Sequence, residues 1–404
     1  MARRARVHSR DLQPLIAAPK GLFAAARVQR FDWPINIPVT YVDELGRKLH
    51  VGSTREIPEV TVTVEALESS HNAFAYLTGH TPGTFPVSGA SITDLKNVDV
   101  IGQIRDASTL GVVNALYVRR GIVTGLDASF DVRNNSTVTY TVTSNQKKEF
   151  KQPVYYQSFT VTTTGLGQTL SQTPTYLTRT SGYIIDAFRT GTDGSNGFLD
   201  ESLVAYQGDF NVTGSTIVFR GTNVQPNDTI WVTYCAPVTT KTFEALDNVA
   251  PAAIQGKYVP LTISVSDIPR VQSASIRASF QSESIVEMGG LGKPIGVELG
   301  IPEVTGDITV LKTDNELLSI LEGTGTGSTG PVEQDVEYAK DTLPLKVTLK
   351  DPANPARAIM TYYVPAITIN SEGDSSSVNA SMEETLSWSS STGELFIMSG
   401  AGVY

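Results

Sequence analysis

Catalysis needs reactive side chains at spacings that bring them together, so the histidines, the cysteine and the glycine-rich stretches are the first residues to weigh. His8, His50, His71 and His80 all lie in the first 80 of 404 residues. No two of them stand at His-Glu-x-x-His or another zinc-holding spacing. Cys235, the single cysteine, ends an apolar run with no histidine or asparagine motif to match it, and reads as a small buried hydrophobe. Gly325-Thr326-Gly327-Ser328-Thr329-Gly330 has the letters of a dinucleotide-binding loop, yet it leads to Pro331 and does not join a strand to a helix, so it reads as linker. Gly292-Lys293 runs into Pro294, which removes a phosphate loop. No acid, base and nucleophile converge, so the expectation is a non-enzymatic protein with no cofactor and no metal.

Composition narrows the class further. The chain is 40% hydrophobic and 18% charged, rich in Thr, Ser, Gly and Val, which is a folded and β-rich make-up. Its length exceeds one ordinary core, so two or three domains are expected. No apolar run reaches the length of a membrane span, and the basic start lacks the hydrophobic stretch of a secretory signal. One cysteine excludes an intrachain disulfide framework. Net charge is −10, unevenly spread. Residues 1–30 carry seven basic groups against Asp11 alone, and the remainder carries 24 basic against 40 acidic. This predicts a basic N-terminal arm over 1–27 on an acidic body, an arm suited to docking on a neighbouring copy or touching nucleic acid, or simply a solvated terminus. The acidic body argues against wrapping nucleic acid tightly.

The elements that position these residues occur twice. Ile57-Pro58-Glu59-Val60-Thr61 returns as Ile301-Pro302-Glu303-Val304-Thr305, Val28-Gln29 as Val271-Gln272, Leu77-Thr78-Gly79 as Leu321-Glu322-Gly323, and Tyr117-Val118 as Tyr363-Val364. Constant order at offsets of 243 to 246 indicates a duplicated domain, over 28–150 and 271–404. In the first copy Ile35, Ile37, Val39 and Tyr41 alternate as a strand, with Pro34 and Pro38 marking it as an edge or bulged strand or a loosely paired start. A turn-rich stretch leads to a return strand over Val60–Leu67, then a helix near Ser70–Leu77 capped by Ser69 or Ser70 and ended by Gly79. Strands near Ala115–Val123 and Ser136–Thr143 follow. The second copy repeats the plan, with a helix capped by Asp314, and strands near Ala358–Val364, Ala366–Asn370 and Glu384–Ser389. Between the copies, 151–240 has short strands and turn signals of its own and reads as an inserted Ig-like β-sandwich. A linker of uncalled structure spans 241–270. The fold class expected is mainly β: two similar sandwich or barrel domains with one short helix each, plus the insert.

The return strands carry the clearest functional signal. Val60, Val62 and Val64 point one way, and Glu59, Thr61, Thr63 and Glu65 the other. Val304, Ile308 and Val310 oppose Glu303, Thr305, Asp307 and Thr309. Period two puts the apolar set on the core and leaves an acidic, hydroxyl-rich face for water. Such a face suits either an ordinary solvated surface or the wall of a channel that repels phosphate.

In this ordered set the chain resembles phage tail tube proteins: an alternating strand opened by Val-Gln, a Gly-rich extension, the Ile-Pro-Glu-Val-Thr return strand, and a short helix ending in Leu-x-Gly. The resemblance implies a small β-sandwich with a flanking helix, six domains per ring, inner strands pooled into one barrel, and rings stacked into a tube that carries double-stranded DNA. It implies that the eight polar residues above line the channel. It also implies ring-to-ring contacts from the loops holding Asp43, Glu44, Arg47 and Lys48, and Glu287, Met288, Leu291 and Lys293. With the duplication, three chains would make a pseudo-sixfold ring, with the insert on the outside. The partners implied are further copies of the chain, other tail proteins at the tube ends, and DNA in transient passage. The place implied is the virion tail, assembled in the host cytoplasm. Two alternatives stay open: a ring-forming distal tail or tail-terminator protein that does not polymerise, and a virion surface protein whose insert binds carbohydrate.

Overall fold

Prolines and bulges decide where the strands of the main sheet begin and break. In the computed structural model residues 11–404 are described except 26, 43–51, 56–57, 68–69, 107–108, 179–181, 192–195, 202–207, 221–222, 238–240, 247–252, 287–293, 313–319, 322–341, 376–380 and 404. The chain is mainly β, with one short helix, a large antiparallel sheet and two small sheets. It divides into two units: residues 1–25, 96–121 and 144–247, and residues 26–95, 122–143 and 248–404.

The second unit holds the strands that carry the polar face. They are β1 (Val28–Asp32), β2 (Ile35–Asn36), β3 (Glu59–Leu67), β4 (Val112–Asp131, of which Ile122–Asp131 falls here), β5 (Thr137–Ser144), β6 (Val271–Val286), β7 (Pro294–Leu311), β8 (Asn354–Ser375) and β9 (Glu383–Ser390). Pairing runs β1 and β2 on β3, then β5, β4, β6, β7, β9 and β8. The chain leaves the ladder at Trp33-Pro34 and again at Ile37-Pro38, where proline removes the N–H a ladder needs. That is why the expected strand through Ile35 appears as two short pieces.

The strand registers recur along the chain. Val28 opposes Ala66, a bulge follows, and Arg30 opposes Glu65; Val271 opposes Val310, the same bulge follows, and Ser273 opposes Thr309. Ile35–Val60 and Asn36–Glu59 return as Ala278–Val304 and Ser279–Glu303. On the other hairpin, Val123–Val142, a bulge and Gly125–Thr141 return as Ile369–Trp388, a bulge and Ser371–Ser387, every residue displaced by 246. Arg27 and Arg270 precede the two first strands with positive φ of 55° and 58°. Each has its carbonyl bonded by a return-strand N–H, from Leu67 and Leu311 respectively.

A short helix, α1 (Asn72–Leu77), follows β3 and buries Phe74, Ala75 and Leu77. Its N-cap is His71, not Ser69 or Ser70, although Ser70 Oγ accepts a 3.4 Å bond from Asn72 N. Gly79 takes φ +77° just past the end, as the sequence requires of a residue free to enter that region. In the second copy Ile320 and Leu321 are helical and buried; Asp314 and the Gly325–Gly330 stretch lie outside the described residues.

The first unit corrects one expectation. Leu12–Ala18 and Gly21–Ala24, placed in a basic arm, are a buried hairpin whose first strand pairs with Val98–Arg105. Leu12–Ala18 is buried at six of seven positions, so its apolar run gives no alternation. Arg3, Arg4, Arg6 and Arg10 lie outside the described residues. Within 241–270, whose structure the sequence leaves open, the second unit has a hairpin of Leu261–Ile263 and Ser266–Asp267 on Leu343–Asp351. The two hairpins occupy matching places, since Leu15 opposes Ile101, which opposes Tyr117, while Thr262 opposes Lys346, which opposes Tyr363.

Residues 151–240 supply the two small sheets, one of Val154–Thr160, Thr229–Cys235, Ile184–Thr190 and Asn196–Phe198, the other of Gly167–Thr169, Thr216–Phe219 and Phe210–Thr213. They enclose a core that includes Phe159, Phe210, Phe219, Ile230 and Val232. A second core joins Val154, Ile185 and Cys235 to Leu15, Ala17, Ile101, Ala115 and Tyr117. The strands of 151–240 therefore share a core with the hairpin and Val98–Arg105.

Candidate functional site: the polar face of the main sheet

On β3 the valines Val60, Val62 and Val64 are buried at 0–2% exposure, while Glu59 is exposed and Thr61, Thr63 and Glu65 are half-buried. On β7, Val304, Ile308 and Val310 are buried, Glu303 is exposed, and Thr305, Asp307 and Thr309 are half-buried. All eight predicted polar residues therefore lie on the face away from the core. Neighbouring strands extend that face by the same period: Thr137, Thr139 and Thr141 on β5, Asp127 and Ser129 on β4, Ser275, Arg277 and Ser279 on β6, and Thr385, Ser387 and Ser389 on β9.

Its residues bond mostly to one another. Ser387 Oγ donates to Asp307 Oδ1 at 2.7 Å, and Ser275 Oγ accepts from Asp307 N at 3.1 Å. Thr309 and Thr385 hydroxyls lie 3.1 Å apart, and Ser389 Oγ donates to Asn370 at 3.1 Å. Arg277 lies 3.7 Å from Asp127 across the β4–β6 pair, with both side chains more than half exposed. Cross-strand threonine and serine pairs of this kind stabilise a sheet by a few tenths of a kcal/mol each, to about 1. Glu59, Glu65, Asp127, Glu303, Asp307 and Glu383 face Arg30 and Arg277 on this side, so its charge is negative. The sequence alone does not mark the hydroxyls of β5, β6 and β9 as part of this face. The signal was present as alternating Thr-x-Thr and Ser-x-Ser, and only their pairing beside β3 and β7 gave it meaning.

Asp43, Glu44, Arg47, Lys48, Glu287, Met288, Leu291 and Lys293, the expected ring-to-ring contacts, lie outside the described residues, as do His8 and His50. His71 stacks on Phe85 with ring centroids 5.0 Å apart, and burial lowers its pKa. His80 Nδ1 lies 3.2 Å from Thr78 Oγ1. These two serve local packing near α1. Cys235 is 1% exposed, and burial pushes its thiol up to about 12, leaving it protonated and poorly nucleophilic at neutral pH.

The first unit holds an ionic cluster that the sequence did not disclose. Arg119 and Arg120 both clamp Asp186 with paired bonds of 3.0–3.1 Å, and the Arg120 guanidinium lies 3.8 Å over the Phe198 ring. Asp99 accepts from Tyr117 OH and from Arg120 N, and burial, with the nearby Asp186 charge, pushes it up to about 7. Arg120 sits at φ +49° in the bulge that separates Val118 from Gly121. Asp186 thus ties the Val118–Gly121 bulge to Ile184–Thr190, which fits an anchor between these strands.

No family model matches the sequence, and no curated protein matches it.

Proposed function

We infer that the chain is a structural subunit of a phage tail tube, in which three copies form a pseudo-sixfold ring and rings stack around a channel for DNA. Under this reading the two recurring strand sets, β1/β2–β3–β5–β4 and β6–β7–β9–β8, are two tube domains with an Ig-like insert between them. The observation that carries it is the junction of the sets. The last strand of the first, β4, pairs with the first strand of the second, β6, from Gly125 opposite Ser279 to Asp131 opposite Ser273. One chain thus holds a complete domain-to-domain joint of the kind a ring would repeat.

At the two ends of this eight-membered order are β1/β2 and the Asn370–Ser375 stretch of β8. Among the described residues the outer edges of both pair with no further strand, a liability unless a partner covers them. Ile35 and Ile37 at the first edge are 43% and 46% exposed, which a partner strand would cover. A second copy fits, because repeating the internal joint sets Ser371 of one chain opposite Asn36 of the next, and Ser375 opposite Asp32. Closing the sheet removes both edges. The negative hydroxyl-bearing face then turns to the bore, where it repels phosphate and lets DNA slide. Head-to-tail stacking of rings produces a filament.

Electron microscopy of the purified protein tests this. Hollow filaments with three chains per ring support it. Closed single rings favour a distal tail or terminator protein, and dispersed monomers that bind glycans favour a surface protein. The joint itself is tested by cysteine pairs. Ser371→Cys with Asn36→Cys should yield covalent trimers on oxidation, whereas Ser129→Cys with Ser275→Cys should close within one chain. Cross-linking of the second pair alone would overturn the proposed seam.

A further inference from the structure

The core side of β8 departs from the core side of β4 at three neighbouring positions. Leu126, Ala128 and Val138 are all buried and apolar. Their counterparts by register are Glu372, Asp374 and Glu384, with Asp374 directly opposite Glu384 as Ala128 is opposite Val138. Glu384 is 1% exposed, its Oε1 is buried without a hydrogen-bond partner, and one oxygen from each of the three carboxylates lies within 4.8 Å of the others. Lys312 bonds Asp374 at 2.8–2.9 Å but stands 3.8 Å from both Glu372 and Glu384, beyond hydrogen-bond reach. With all three carboxylates ionised, one ammonium leaves two negative charges, and Glu384 Oε1 has no donor; the metal-free alternative is a proton shared between Glu384 and Glu372.

We propose that Glu372, Asp374 and Glu384 hold a divalent cation of the calcium type at this end of the sheet. Calcium takes oxygens at about 2.3–2.6 Å, so ligands on opposite sides of the ion stand up to about 5 Å apart, which is the spread these carboxylates already have. A doubly charged ion cancels the residual charge and gives the buried Oε1 a partner, relieving the cost of an unpaired buried acceptor. Hard carboxylate ligands with no sulfur or imidazole exclude a preference for softer metals. Asp374 and Glu372 are partly open to solvent, which leaves room for water to complete the shell and a path for entry. The site lies within one chain, so it holds whether or not rings form.

The test uses the full chain, stripped with EDTA and titrated with calcium chloride at constant ionic strength, followed by calorimetry and thermal unfolding. The result expected is saturable binding of one equivalent, a rise of a few degrees in midpoint, and at least tenfold weaker binding in Glu372→Gln and in Glu384→Gln. Glu394→Gln, at an exposed carboxylate elsewhere in the same unit, should bind like the parent. Glu384→Gln should also unfold at a higher temperature than the parent when both are metal-free. Absence of saturable heat up to millimolar calcium, or equal responses in parent and both glutamine variants, overturns the site and leaves Lys312 as the cluster's cation.

Discussion

The strand set running from β1 to β4 and the set running from β6 to β8 share their registers, their bulges and the positive-φ arginine before the first strand, yet they fill equivalent places with different side chains. Where the first has Val62 and Val142, the second has Gly306 and Trp388. A Cβ on Gly306 would collide with the Ser275 carbonyl and the Trp388 ring, so the loss of a valine on one strand accommodates a tryptophan on the next. Where the first has Arg119-Arg120 in its bulge, the second has Pro365-Ala366. The lesson is that backbone pairing is the shared frame, and core volume and ionic anchors are local solutions within it.

Substitutions and one deletion sharpen or break this comparison. Asp186→Ala leaves Arg119 and Arg120 without their acceptor; with the arginines partly exposed, the loss should be about 2–4 kcal/mol by chemical denaturation. A change below about 1 kcal/mol would show that the anchor is dispensable. Deleting the inserted strands outright should be worse, because it would uncover Leu15, Ala17 and Tyr117. Gly306→Val, which copies Val62, should cost about 3 kcal/mol through overpacking. Adding Trp388→Val should recover at least 1 kcal/mol of that in a double-mutant cycle. Simple additivity would deny that the two positions compensate.

Asp99 gives a pH signature without counterpart in the second set, where Pro344 stands in its place. Its folded pKa, about 7, lies above the value of an exposed aspartate, so the folded state binds the proton more tightly. The stability this contributes is complete below about pH 4 and is lost as pH rises through about 7. Asp99→Asn should flatten the fall in unfolding midpoint between those limits. Parallel profiles for parent and variant would refute the assignment. The smallest expected effect is on stability at the polar face. Glu59→Lys with Glu303→Lys should change unfolding by less than about 0.5 kcal/mol, while particles carrying both should deliver DNA poorly. Undiminished infectivity would remove the channel from the reading.

Much of the frame was legible because period-two alternation and a constant offset survive divergence. Val60, Val62, Val64 and their partners declare their face without help from neighbours. The two hairpins near residues 12–24 and 261–267 were missed for a physical reason. Leu12–Ala18 is buried nearly throughout, its surroundings are basic, and its counterpart shares almost no side chains with it. One strand, β8, was read as two because Pro365 looks like a stop; it sits in the bulge between Val364 and Ile367, where no ladder bond is required of it. The Arg119, Arg120 and Asp186 cluster joins residues more than sixty positions apart, and no local pattern announces such a contact.

The antiparallel pairing of β4 with β6 inside a single polypeptide has a kinetic consequence. A tethered joint forms at an effective concentration set by the intervening chain, independent of how much protein is present. Any joint made by β8 with another molecule must wait for an encounter. Six equivalent contacts would thereby become three permanent and three conditional ones, and only the conditional ones respond to dilution.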